Sequence, residues 1–341
     1  MRRHVTPLRA LGGIVVLLLA SLLILFSLPS GKYILLVDAA HPVAPYVQVP
    51  GAQREAGGGT VYFVDVRERK ASELEALFPW LRPHASLVPA SDIVPPCASA
   101  GEAEAAQLQE MRFSQHIAAA VALRKLGYHV VVHPSGVLVS QLVANTNAPC
   151  NLQPMDVIVA VDGSPTPTLP TLHTALGRVK PGAVVALRVR RAGRTLTVRI
   201  KTVGIREEAG GPRRAFVGFA PEQAATIKLP IRVSINLPSV GGPSAGLAFA
   251  LEVMRRLGRN VLHGHRVAAT GEMELDGRVG PIGGVKQKTY GARQAGADVF
   301  LVPAGGGNAR DAKRYAGSLR IIPVRTFGQA LRALATLPRT Q

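Results

Sequence analysis

Gly241-Gly242-Pro243-Ser244-Ala245-Gly246 lies between a run that alternates apolar and polar residues, Ile231 to Leu237, and an apolar periodicity at Leu247, Leu251 and Met254. The alternation, with its β-branched content, predicts a half-buried strand, and the later spacing predicts a helix running to about Leu257. A strand thus delivers the chain into a glycine-rich turn at the mouth of a helix. The glycines open backbone angles closed to other residues and let a second backbone approach. Pro243 suits a first helical turn, and amides at a helix start can stabilise a developing oxyanion. Ser244 is therefore a candidate nucleophile, with Gly242, Pro243 and Ala245 as its backbone loop. A serine that merely caps the helix fits the hexapeptide equally well.

A nucleophilic serine needs a base. Gly242-Pro243-Ser244-Ala245-Gly246 also fits G-x-S-x-G, the nucleophile elbow of α/β-hydrolases, which requires an acid and then a histidine downstream. The only histidines after Ser244 are His263 and His265, and the first aspartate, Asp276, lies beyond both. About twenty residues are too few for the elements that separate triad members in that fold. A lysine can serve instead if burial lowers its pKa enough to leave it neutral near pH 7. Gly283-Gly284-Val285-Lys286-Gln287-Lys288-Thr289 opens a predicted helix from Val285 to Ala295, stopped by Gly296. Lys286 and Lys288 are two positions apart, so on a helix only one is expected to face a site. Spacing alone does not choose between them, and solvated lysines are the ordinary outcome.

These motifs, with Thr270-Gly271-Glu272, Gly277-Arg278-Val279 and Pro281-Ile282-Gly283-Gly284 between them, resemble in content and order the proteolytic domain of Lon-type serine peptidases. The resemblance covers about residues 215 to 335. It implies an α+β fold and a Ser-Lys dyad of Ser244 and Lys288, the second lysine of the K-x-K pair, with Thr270 placed to hydrogen-bond near the lysine amine. The chain departs from the family at Val240-Gly241, where Lys-Asp is usual, so charge beside the nucleophile is reduced. The ATPase module of full-length Lon is missing. The only Gly-Lys pair, Gly31-Lys32, is followed by Tyr33, and Phe26 stands where a P-loop needs its first glycine. Proteolysis without ATP-driven unfolding is the expectation.

The 341 residues suggest about two domains plus accessory segments, and 47% hydrophobic with 18% charged residues describes a folded chain. The formal net charge of +19 fits nucleic acid, an anionic membrane surface or a basic proteome. The arginines are scattered in pairs and aromatic residues make up only 5%, so no nucleic-acid partner is expected. Ala10 to Leu28 are 19 uncharged, mostly apolar residues, which as a helix reach roughly 28 Å. Arg2, Arg3 and Arg9 precede this stretch, which predicts a single-pass anchor in the cell membrane with a cytoplasmic amino terminus and an extracytoplasmic body. A cleaved signal peptide is the rival reading; its apolar region is normally shorter, and Val37-Asp38-Ala39 is a poor cleavage site.

Cys97 and Cys150 are the only cysteines, enough for one disulfide or two buried thiols. No metal site and no cofactor are expected from the motifs. Gly51 to Gly59 reads as a flexible connector, Thr60 to Val66 as a strand, Ser72 to Leu77 as a short helix and Pro89 to Ala106 as a linker. If the piece before residue 110 packs on the proteolytic domain, the next domain is an insertion. Residues 111–203 read as a mostly-β module, and Leu152 to Gly163, with Pro181-Gly182 and Arg191-Ala192-Gly193, resembles a PDZ domain. PDZ domains add an extended peptide to a sheet edge. Leu126, Gly127 and Tyr128 match the family's x-Φ-G-Φ carboxylate loop, although Gly127 could equally cap the preceding helix. The expected layout is thus 1–33 tip and anchor, 34–110 accessory segment, 111–203 PDZ domain, and 204–341 proteolytic domain after a hinge at Gly204 to Arg214. Expected partners are peptides or proteins, engaged for cleavage or, alternatively, bound by an inactive adaptor. An oligomer is compatible with this reading.

Overall fold

The computed structural model describes residues 7–51, 58–206, 213–237 and 239–338, with side chains from Leu11 onward. The expected connector and hinge fall mostly outside these residues. Helix α1 (Pro7–Ser27) leads directly into β1 (Pro29–Val37). All the large apolar side chains described in α1 are exposed except the half-buried Leu25. Among the described residues, which include the side chains of α1 only from Leu11, no helix is long and apolar enough to cross a membrane, so the expected span is unsupported.

After β1 come β2 (His41–Pro42), β3 (Val47–Gln48), β4 (Thr60–Phe63), β5 (Val66–Ser72) and α2 (Glu73–Leu77). Ser72 and Glu75 cap α2 reciprocally, each accepting the other's backbone N–H. β6 (Ser86–Pro89) joins β5 and β1 in an antiparallel sheet of order β5-β1-β6. The last part of the expected linker is instead helical: α3 (Ala100–Lys125) starts at Ser99, whose hydroxyl accepts from the Glu102 amide. Its Met111, Ile117, Ala118 and Val121 are buried.

A second sheet follows, built from β7 (Val131–Leu142), β8 (Val157–Val161) and β9 (Ser164–Pro165), then α4 (Leu169–Gly177), β10 (Val184–Arg191) and β11 (Arg194–Lys201). The short pair β12 (Val203–Ile205) and β13 (Arg214–Phe216) leads to β14 (Phe219–Lys228), and the sheet runs β11-β10-β8-β7-β14 with β9 on β8. Alternate residues such as Val137 and Val139, Leu187 and Val189, and Val198 and Ile200 fill its core, as strand periodicity requires.

The chain then returns through β15 (Ser234–Ile235) to α5 (Gly246–Arg256), β16 (Arg266–Ala269), β17 (Glu272–Met273), β18 (Val279–Gly280) and α6 (Val285–Gln294). It ends with β19 (Val299–Pro303), α7 (Asn308–Tyr315), β20 (Arg320–Val324) and α8 (Phe327–Ala335). The strand expected from Ile231 to Leu237 shrinks to the two residues of β15, which pair with β3. A five-stranded sheet, β2-β4-β16-β19-β20, is parallel from β4 onward. One face buries Val267, Ala269, Val299 and Leu301 against α3, α5 and α8; the other buries Ala268, Phe300 and Val302 against α6 and α7.

This topology adds pairings that cross the expected boundaries. Strand β4 sits inside the last domain's sheet, and α3, including residues 111–125, packs on that domain's core. Residues 219–228, expected in the proteolytic domain, form β14 of the other sheet. The domain around β7 to β14 is thus an insertion into a fold assembled from both flanking parts of the chain. Cys97 and Cys150 form a disulfide that ties the segment before α3 to the inserted domain.

Candidate active site

Ser244 occupies the turn just before α5, at the carboxyl end of β16, where parallel sheets commonly place functional groups. Its carbonyl accepts the Gly271 N–H (2.8 Å) and the Thr270 hydroxyl (3.1 Å). Helix α3 grips the same turn from the far side. The Gly242 amide donates to Gln107 O (2.8 Å), and Ser114 Oγ donates to Pro243 O (2.8 Å). Gly246 sits so close to Ser114 and Met273 that a Cβ would come within 2.8 Å of Ser114 Oγ. The turn is held by elements from both halves of the chain.

Lys288 Nζ donates to Ser244 Oγ at 2.7 Å. The lysine is 5% exposed, and burial lowers its pKa to about 8, against the opposing pull of the Asp65 and Glu68 carboxylates. Lys286 points elsewhere, donating to Ala85 O at 2.9 Å with its amine 5.7 Å from the centre of the Tyr315 ring. Thr270 is fully buried, yet its hydroxyl meets the serine carbonyl, so its position differs from the expected contact with the lysine amine. The expected oxyanion loop also needs correction. The Gly242 amide is already bonded and Pro243 has no N–H, so the loop's amide donors for an oxyanion are those of Ser244 and Ala245.

Asp65 was not singled out by sequence. Phe63 pairs with Ala269 across β4 and β16, which carries Asp65 to the same strand ends as Thr270 and Gly271. Its Oδ1 is buried without a hydrogen-bond partner among the described residues, and burial raises its pKa, with Asp38 adding to the effect. Asp38, His41 and Asp65 bring ligand-type atoms within 4.8 Å of one another, the one such grouping among the described residues. Arg67 already supplies a cation there, 3.3 Å from both oxygens of Asp38. Next to Asp65, Val66 packs on Gly284, whose positive φ of 67° starts α6; a Cβ there would come within 2.6 Å of Val66 Cγ2.

Residues 222–336 match the family described as the Lon protease (S16) C-terminal proteolytic domain, and residues 125–202 match the PDZ domain family. The chain carries a Lon-type proteolytic domain and a PDZ domain. Over 104 residues it is 39% identical to Lon protease 1 of Myxococcus xanthus, covering 29% of this chain and 12% of that protein. Over 112 residues it is 34% identical to Lon protease 2 of Bacillus subtilis (strain 168), covering 32% and 20% respectively. The chain therefore spans a fifth or less of the length of these relatives. The PDZ domain of the SdrC-like protein from Listeria monocytogenes superimposes with a TM-score of 0.23 at 20% identity, covering 26% of this chain and 87% of that one.

In the PDZ domain, Leu126, Gly127 and Tyr128 end α3: the Leu126 amide donates to Ala122 O and the Tyr128 amide to Leu123 O. The strand that follows, β7, pairs with β14 along its whole length and with β8 at Val137 and Leu138. The loop assigned to carboxylate binding is thus a helix cap. The sheet's unpaired edge on this side belongs to β14, which is entered through Phe216-Val217-Gly218-Phe219. This stretch carries the same x-Φ-G-Φ pattern, and its Gly218 has φ 107° with no room for a Cβ beside Thr146. The pattern was readable in the sequence, but it lay in the segment assigned to the proteolytic domain.

Proposed function

We propose that the Lon-type domain is a serine endopeptidase working through a Ser244–Lys288 dyad. The observation that carries this reading is the 2.7 Å contact between a buried lysine of lowered pKa and the serine hydroxyl. Neutral Lys288 takes the proton as Ser244 Oγ attacks the scissile carbonyl, and the ammonium then returns it to the departing amine. Water hydrolyses the resulting acyl-enzyme by the reverse roles. The Ser244 and Ala245 amides hold the oxyanion. Thr270 fixes the serine backbone, and Asp65 keeps the lysine pKa from falling further.

In this reading cleavage proceeds without ATP, and substrates are flexible segments or short peptides. The edge of β14 receives an extended peptide by strand addition and raises its local concentration at the dyad. Helix α1, with exposed apolar side chains along its described length, anchors the body to a membrane. Arg2 and Arg3 before it, with Arg9 in its first turn, favour a cytoplasmic amino terminus. The Cys97–Cys150 bond is consistent with an oxidising, extracytoplasmic setting.

The test is cleavage of an unstructured protein by the full chain in detergent without ATP, beside Ser244→Ala and Lys288→Ala. Loss of turnover in both variants supports the dyad. Turnover retained in Lys288→Ala refutes it, and peptide binding with no cleavage by wild type favours an adaptor.

A further inference from the structure

Residues 77–84, Leu-Phe-Pro-Trp-Leu-Arg-Pro-His, are exposed without interruption. Trp80 is 74% exposed, Leu77 58%, Leu81 43% and Phe78 39%, and the two aromatic rings meet edge to face 6.0 Å apart. Four large apolar side chains in five positions form a projecting ridge, unlike the isolated apolar residues normal on a surface.

The ridge is rigidly braced. On one side, buried Glu75 accepts from Arg69 (2.6 and 2.9 Å) and Arg82 (2.8 Å), and these hydrogen bonds hold its pKa down to about 2. On the other, Lys286 donates to Ala85 O, Gln287 donates to His84 O and Ser86 Oγ, and the His84 ring lies 3.8 Å from that of Tyr290. These last contacts come from α6, the helix that carries Lys288.

Its position identifies what covers it. The Glu73 amide at the start of α2 donates to Leu28 O (2.9 Å), immediately after α1 ends. The ridge therefore projects beside the base of an apolar helix and continues that helix's apolar surface onto the body. Exposed Lys32 and Lys70, on adjoining strands of the sheet that carries α2, add positive charge. Aromatic residues beside basic ones, next to the end of an apolar helix, match the interface of an anionic bilayer.

We propose that Leu77, Phe78, Trp80 and Leu81 seat in the headgroup and upper acyl region of an anionic bilayer and fix the orientation of the catalytic body over it. This rests on the reading of α1 as a membrane anchor. Trp80 is the only tryptophan of the chain, so its fluorescence reports the ridge alone. The full chain is reconstituted into vesicles of phosphatidylcholine and phosphatidylglycerol. Flotation reads the anchor; Trp80 emission reads the ridge. The expected result is co-flotation with blue-shifted emission, protection from aqueous acrylamide, and stronger quenching by lipids brominated near the headgroup than near the chain end. In Phe78→Ser/Leu81→Ser, lipid quenching should fall severalfold while cleavage of a soluble unstructured protein in detergent is unchanged. Co-flotation with Trp80 open to acrylamide and unquenched by lipid overturns the ridge and leaves the anchor standing. Unchanged quenching in the double variant overturns the ridge as a unit, and failure to float overturns both readings.

Discussion

Lys288 gains its chemistry from being out of water. With a pKa of about 8 the neutral base is scarce below that pH, so turnover should rise through about pH 8 as the amine loses its proton. The Asp65 carboxylate works in the opposite direction to burial, favouring the charged amine. Asp65→Asn removes that influence, lowers the lysine pKa further and should move the acidic limb of the kcat/KM profile to lower pH. An unmoved limb would show that Asp65 does not act on Lys288. Thr270→Val removes one of the two donors to the Ser244 carbonyl and should lower kcat about tenfold, corresponding to about 1.4 kcal/mol, with little change in KM.

At the level of elements, one glycine and one buried carboxylate make sharp demands. Gly218 combines φ 107° with contact against Thr146, so Gly218→Ala should destabilise the PDZ domain by about 2–3 kcal/mol and weaken peptide capture, as measured by unfolding and by peptide titration. Glu75→Gln loses charged hydrogen bonds to Arg69 and Arg82. It should cost about 2 kcal/mol at neutral pH, and that difference should fade as acid protonates wild-type Glu75 between its unfolded pKa and about 2. The catalytic helices and strands after Ser244 were legible because each carries local signals: Gly-Gly before α6, Gly296 after it, β-branched runs at β19 and β20. Helix α3 was legible only at its second half, since Pro and Ala around residues 89–106 obscured the Ser99–Glu102 capping box. Asp65, Gln107 and Ser114 were not legible, because their roles arise from pairings between distant parts of the chain that carry no local pattern.

For the whole molecule, the disulfide closes a loop of 53 residues, and chain entropy gives it up to about 4 kcal/mol. Reduction should therefore lower the melting temperature, and Cys97→Ser/Cys150→Ser should do the same without reductant; equal melting temperatures would show that the native contacts carry the join unaided. The sequence located the PDZ motif and its end near residue 203, where the family match also ends, but not the pairing that adds β14 to the same sheet, since β14 reads as well in one domain as in the other until its partner β7 is known.

The discontinuity of the catalytic fold bears on how the protein is made. Val61 in β4 pairs with Val267 in β16, so the first strand of the parallel sheet waits 206 residues for its neighbour. The PDZ domain, whose strands lie between them, can finish first. The contact between Ser244 and Lys288 therefore cannot assemble when β4 emerges, because the serine turn, β16 and the lysine helix all follow the PDZ strands along the chain. The order of residues thus works as a timer for the pairing of Ser244 with Lys288.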